Sequence, residues 1–255
     1  MSSRLKTCPG NNVGFTLVEL LIALVFSALL LAGLVQLAAA ASASTQLQRN
    51  QARIQEHARH AKIALSGAIH QSVYSPQPWN PSFPVLGLAE TSVDDVSSAG
   101  DRLVLRSWSD LNCFDNRNPD RDGSGAPLFY IRESQYDMNT SKSLTHQCRY
   151  GPSLAQLTTQ IRRQGFINEV ESFQVLYGED SDRNGSIEAW VAAGSWQDAA
   201  NVLGIRVGLL LSSQDAVAAP ASQSYQVLDS TINRRADGKL RRVLEFVAAI
   251  KGRTG

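Results

Sequence analysis

Residues 15–41 read FTLVELLIALVFSALLLAGLVQLAAAA. Glu19 is the one charge in about 27 residues, and the run contains no proline. About 20 apolar residues in a helix cross a bilayer, so the run is long enough to span one. Upstream lies a polar leader, residues 1–14, carrying Arg4 and Lys6. Those cations hold the leader in the cytoplasm and direct the rest of the chain outward. Three readings fit such a segment. It is a plain signal anchor, or a secretory signal cut near Ala41-Ser42-Ala43, or a helix whose carboxylate has a use. The run exceeds the 7–15-residue core of a signal peptide. A carboxylate inside a membrane costs about 2.5–3.5 kcal/mol on insertion scales and needs a partner unless it lies at the interface. A cut between Gly14 and Phe15 creates an α-amino group one helical turn from Glu19. Pairing of the two, within or between subunits, would set the register of packed helices.

The rest of the composition narrows the class. The chain has 255 residues, 24 Lys+Arg against 23 Asp+Glu, 43% hydrophobic and 18% charged. It is neither a disordered tail nor a polytopic membrane protein. A near-zero net charge argues against a nucleic-acid coat, and no nucleic-acid partner is expected. Three cysteines lack the spacing of a zinc ribbon.

The helix is expected to continue past Ala41. Leu47, Ile54, Ala58, Ala61, Leu65 and Ala68 form a one-sided stripe, with most charges elsewhere. One helix over residues 15–70, about 80 Å long at 1.5 Å per residue, has a membrane half (15–41) and an amphipathic half that packs on a head. SPQPWNPSFP (75–84) holds four prolines and ends it. Beyond it the pattern turns to period two. Strands are expected at 102–108, 128–132, 170–177, 187–191, 202–212, 225–228 and 240–250, with 202–212 and 240–250 central. The fold class is α+β: a long N-terminal helix on an antiparallel β-sheet head, residues 71–255.

Gly14-Phe15-Thr16-Leu17-Val18-Glu19-Leu20, followed by its apolar run, resembles the processing signal of type IV prepilins and pseudopilins. The resemblance implies a leader (1–14) cut between Gly14 and Phe15 by a prepilin peptidase, N-methylation of Phe15 and an assembly role for Glu19. Further stretches, QEHARHAKIAL (55–65), FQVLYGEDSDRNGSI (173–187), LGIRVGLLLSS (203–213) and LRRVLEFVAAIKGR (240–253), resemble PilW-type minor pilins. The residues before Gly14, Asn-Asn-Val, depart from the usual basic leader. The resemblance implies a subunit of a priming or tip complex in type IV pilus assembly. It would sit in the inner membrane with a periplasmic head, then in the pilus at the cell surface, where adhesion and motility arise. Partners would be other minor and major pilins, the inner-membrane assembly platform and a tip adhesin. A type II secretion pseudopilin and a secreted calcium-binding or adhesive domain are the alternatives. Cutting removes Cys8 and leaves Cys113 and Cys148, a pair expected to form a disulfide in an oxidising compartment. Losing Arg4 and Lys6 leaves 22 basic residues against 23 acidic.

Within the head, Asp180-Ser181-Asp182-Arg183-Asn184-Gly185-Ser186-Ile187-Glu188 has the alternating oxygens of a calcium loop. Asp180, Asp182 and Asn184 would supply side-chain oxygens, Ser186 its carbonyl, Glu188 a direct or water-mediated contact, and Ile187 an anchor to the core. Position twelve is Val191 in place of the usual Glu, so the motif is incomplete; a solvated hairpin turn is the plainer reading. The stretch 115–123 (DNRNPDRDG) reads as an exposed turn, and His57 and His60 as a solvated helix face. Arg234, Arg235, Lys239, Arg241 and Arg242 read as strand-edge charges that block unwanted pairing. No nucleophile elbow, P-loop or dinucleotide fingerprint appears, and no enzyme is expected.

Overall fold

A computed structural model describes residues 16–86, 88, 92–95, 100–217 and 221–251. Helix α1 runs over Leu17–Gln71, 55 residues. Its start is capped by Thr16, whose Oγ1 accepts the Glu19 N–H at 3.3 Å. Its end is closed by Ser72, whose N–H and Oγ both bond the Ile69 carbonyl, at 3.1 and 2.6 Å. Val73 then takes a left-handed φ of 64°, a conformation more usual for glycine, and its N–H bonds the Arg106 carbonyl at 2.7 Å. The prolines that follow lie in turns.

The chain divides into two units, 1–47 and 48–255. In the first, every described residue up to Gln46 is exposed, and the helix is long and apolar enough to cross a membrane by length and composition. In the second, α1 buries Asn50, Ile54, Ala58, Ala61, Leu65 and Ile69. The expected stripe holds in its middle and drifts at its ends: Leu47 and Ala68 are half-buried, while Asn50 and Ile69 take the centre. A 3.6-residue period carried on from Leu65 falls nearer Ile69 than Ala68.

The head is built from ten strands among the described residues. Strands β1 (Leu103–Ser109), β2 (Tyr130–Met138), β3 (Leu144–Gly151) and β4 (Thr158–Ile167) form one antiparallel sheet in the order β1-β2-β3-β4. Strands β5 (Val170–Glu179), β6 (Ala189–Val191), β7 (Val202–Ala216) and β10 (Lys239–Ala249) form a second, in the order β10-β7-β5-β6. Strands β8 (Gln223–Val227) and β9 (Ser230–Arg234) make a hairpin. The α+β class is as expected, but a single sheet is not what forms. Two residues separate β4 from β5, and the positive φ of Glu169, 58°, lies at that turn from one sheet into the other.

β10 is also corrected: it is an edge strand, paired with β7 alone within its sheet. Phe246 and Ala248 enter the core, whereas Val247 stays 55% exposed, so its apolar run does not mean burial on both faces. β3, β4 and β9 were not expected, because they lack apolar alternation. In the first sheet a buried polar face takes its place. Glu133 on β2 is bound by Arg106 of β1 and Arg149 of β3, and Asp137 by Arg163 of β4 and by Thr145. The main core gathers α1 with Leu103, Leu105, Leu144, Phe173, Val175, Tyr177, Val207, Leu209 and Phe246.

Candidate functional site

The acidic loop sits where β5 turns back into β6, between the paired residues Glu179 and Ala189. The turn that Asp, Asn and Gly favour is fixed by their own side chains. Asp180 is buried, and its carboxylate accepts the N–H groups of Asn184 at 3.0 Å and Gly185 at 2.8 Å. Asp182 accepts from the Asn184 N–H at 3.2 Å and from its Nδ2 at 3.0 Å. Asn184 Oδ1 accepts the Ser186 N–H at 2.8 Å, and Glu188 Oε2 the Ser181 N–H at 2.9 Å. Gly185 makes the sharp turn at φ 88°.

This folding brings carboxylate oxygens of Asp180, Asp182 and Glu188 within 4.8 Å of one another. Calcium holds oxygens at about 2.4 Å, so ligands on opposite sides of the ion stand about 4.8 Å apart. The donor set is all oxygen, which suits a hard cation. Asn184 turns its amide oxygen to Ser186 and its nitrogen to Asp182, so it supports the loop and leaves the carboxylates as the convergent groups.

Sequence reasoning missed what fixes the loop from below. Gly178 on β5 pairs with Gly204 on β7. A Cβ at Gly178 would lie 2.7 Å from Ile187 Cδ1, and one at Gly204 3.5 Å from the same atom. The two glycines form a notch that receives Ile187. Buried Glu179 accepts the N–H groups of Gln197 at 2.7 Å and Asp198 at 3.0 Å, and Arg183 reaches Asp198 at 3.4 Å. The 3₁₀ turn Ala199–Asn201 is thereby tied to the same end of the sheet.

Cys113 and Cys148 are bonded, S–S 2.02 Å, 35 positions apart in sequence. The bridge is buried beside Tyr150, Tyr130 and Ile161 and fastens the 111–127 loop to β3. Within that loop the acidic residues diverge. Asp115 pairs with Arg132, Asp120 accepts from the Tyr130 hydroxyl, and Asp122 accepts from Ser124 and Ala126. Asp122 is held below the usual carboxylate range, first by the Ser124 hydroxyl. His60 meets Glu56 at 2.9 Å on an exposed helix face.

Glu171 carries a cluster that local sequence does not signal. Its side chain has no exposure and accepts Arg234 Nε at 2.7 Å and Arg241 Nε at 2.8 Å, with Lys142 at 3.4 Å. Arg241, 4% exposed, also holds Asp237 at 2.5 Å. Two of the residues expected as strand-edge charges are therefore internal ion-pair partners. Burial pushes the Glu171 carboxyl up, but Arg241 and Arg234 outweigh it and hold the group at about 2.

At the N-terminus, Glu19 lies in the first turn of α1, beside the Thr16 cap. Gly14 and Phe15 fall outside the described residues.

An apolar helix segment, exposed within its own unit, continues into a disulfide-bonded, two-sheet head. Residues 128–251, from just before β2 to the end of β10, match the family model described as Type IV Pilus-assembly protein W. The match supports a PilW-type type IV pilus protein and involvement in type IV pilus assembly. No curated protein and no solved structure matches it.

Proposed function

We propose that the chain is a minor pilin-like subunit that helps start a type IV pilus, in a priming or tip complex. The observation that carries this reading is the fully exposed apolar part of α1, joined to a head that matches a pilus-assembly family. Nothing within the unit covers Leu17 to Leu37, so that surface needs lipid or the helices of other subunits. Moving it from lipid into a helix bundle keeps it out of water in both states, so little hydrophobic stabilisation is lost.

The leader, 1–14, is cut between Gly14 and Phe15 by a prepilin peptidase, and Phe15 is N-methylated. The new amine meets Glu19. The helix segment 15–70 anchors the subunit in the inner membrane through 15–41, with the head, 71–255, in the periplasm before incorporation. Other minor and major pilins, the assembly platform and a tip adhesin are its partners. The role is structural, and it contributes to adhesion and motility through the fibre. Asp180, Asp182 and Glu188 hold a calcium ion, with Asn184 and Ser186 shaping the loop.

Intact-mass analysis of the N-terminus from piliated cells tests the reading. A chain beginning at methylated Phe15 is expected. A start near Ser42 or Ala43 would overturn it in favour of a secreted domain, and copurification with secretion components alone would favour a type II secretion pseudopilin.

A further inference from the structure

The last turns of α1 and the first sheet stand apart and leave two neighbouring cavities, of about 500 and 490 Å³. Gln71, Ser107 and Arg132 line both, so the two are parts of one groove. On the helix side Ala64, Gly67 and Ala68 present little side chain, between the larger Ile63 and Gln71. On the sheet side stands an aromatic ladder. Tyr136 stacks on His146 at 4.8 Å between ring centres, and Phe166 meets both edge-on, at 6.0 and 6.5 Å. Beyond Arg132 the groove continues past Tyr74, Trp108 and Phe129. That end is stiff, because Trp108 donates to the Pro84 carbonyl at 2.9 Å and packs edge-on against Phe83.

Arg132 stands at the junction. Its side chain is 21% exposed, and among the described residues its polar side-chain contact is one bond from Nη1 to Asp115, at 2.9 Å. Nε and Nη2 face no protein acceptor among those residues. Those nitrogens open onto the groove, and a carboxylate that takes two parallel N–H bonds is the partner their fork geometry fits best. Asp115 is 72% exposed on a loop, so an incoming acid can share or replace it at small cost.

We infer that this groove docks an acidic polypeptide segment of another pilus component, with Arg132 gripping its carboxylate and the aromatic walls taking the apolar residues on either side. The inference rests on the assembly role proposed above. The shape favours an extended chain over a small acid: space of similar size, partly aromatic and partly polar, lies on both sides of the cation, and a lone small acid would fill only the middle. Tyrosine and tryptophan walls around an arginine are also the composition of energetically dominant interface positions.

The test uses the full chain in detergent micelles and short fluorescent peptides that tile the heads of the pilin-like subunits made by the same cell. Each acidic peptide is paired with its Asp→Asn or Glu→Gln form, and binding is read by anisotropy. At least one acidic peptide should bind, with its amide form weaker by about tenfold or more. Arg132→Gln should abolish the difference between the two. Ala64→Trp, on the exposed helix wall, should block binding with the melting temperature unchanged, which separates blocking from misfolding. Equal binding by native chain, Arg132→Gln and Ala64→Trp overturns the inference. So does binding of a polyuronate oligosaccharide with no peptide bound, or of neither. Normal piliation in a strain lacking the chain would instead overturn the assembly role, whatever the peptides do.

Discussion

Asp101 accepts the backbone N–H of Val175 at 2.7 Å. The bond fastens the lead-in to β1, from the first sheet, onto β5 of the second. Its companions are the Asp101 N–H on the Phe173 carbonyl at 2.8 Å and the Asp95 N–H on the same carboxylate at 3.1 Å. Both donors to the carboxylate are neutral. Burial pushes the Asp101 carboxyl up to about 7, with Asp94 and Asp229 adding to the rise and the two backbone bonds opposing it. The folded head therefore binds a proton there that the unfolded chain releases near pH 4. Between about pH 4 and 7 the native state holds more protons, so stability falls as pH rises through that window and levels off above it. A loss of about 2–4 kcal/mol across the window is expected. Melting temperatures at stepped pH check it: Asp101→Asn should flatten the slope, and an unchanged slope would assign it elsewhere.

Glu171 gives the opposite sign. Its folded value, about 2, lies below the ordinary carboxylate value, so its stabilisation is present above about pH 4.5 and is lost as pH falls towards 2. Glu171→Gln leaves Arg241 nearly buried without its internal counter-ion, with Asp237 as the remaining acid. A loss of about 3 kcal/mol is expected, from the cost of stranding one member of a buried pair. Chemical denaturation at pH 7 should show the loss, and the gap between variant and native chain should close in acid.

The notch under Ile187 predicts that Gly178→Ala loosens the acidic loop. The new methyl would lie 2.7 Å from Ile187 Cδ1 and 3.0 Å from Trp190 Cζ3, so Ile187 must leave its seat. Overpacking of this kind costs about 1–3 kcal/mol. Faster amide exchange across 180–188, with the far sheet unchanged, is the expected reading.

Removing the disulfide tests how far the 111–127 loop depends on it. A loop closed over 35 residues stabilises by about 3–4 kcal/mol in the chain-entropy account. Cys113→Ser with Cys148→Ser should lower the denaturation midpoint by that order. Proteolysis should then begin in 111–127, since few other ties, among them the Cys113 N–H on Gln160 Oε1 at 2.9 Å, hold the loop to β4.

The parts of this fold that sequence made legible are those with a local cause. The unbroken apolar run and the prolines after Ser75 bound α1 to within two residues at each end. β7 was legible because Val202, Ile205, Val207, Leu209 and Leu211 all enter one core. The acidic loop was legible because its carboxylates and its glycine lie within nine residues. What stayed hidden joins distant positions. Glu171 finds Arg241 across 70 residues, and Ile187 finds Gly204 across a sheet. In the first sheet Glu133 and Asp137 are buried on the face of β2 opposite Tyr136, matched to arginines on neighbouring strands. Alternating apolar residues are what a strand reading seeks, and there the burial is ionic.

Calcium binding by Asp180, Asp182 and Glu188 is the remaining prediction. Three carboxylates within 4.8 Å repel one another, and bonds from Asn184, Gly185 and Ser181 offset that repulsion in part. A divalent cation would neutralise most of the charge. Binding to the folded state alone raises stability by RT ln(1 + [L]/Kd), about 2.7 kcal/mol at a hundredfold excess over Kd. The melting temperature should therefore climb with calcium from micromolar to millimolar and return on chelation. Magnesium should act less, because it prefers a tighter octahedral shell and keeps its own waters. Asp182→Asn removes an exposed carboxylate, so it should abolish the calcium response while leaving the calcium-free melting temperature nearly unchanged. Asp180→Asn should lower that baseline as well, since its buried carboxylate also closes the turn. A calcium response surviving in Asp182→Asn, or absent from the native chain at millimolar calcium, would show that the loop is a turn held by its own hydrogen bonds.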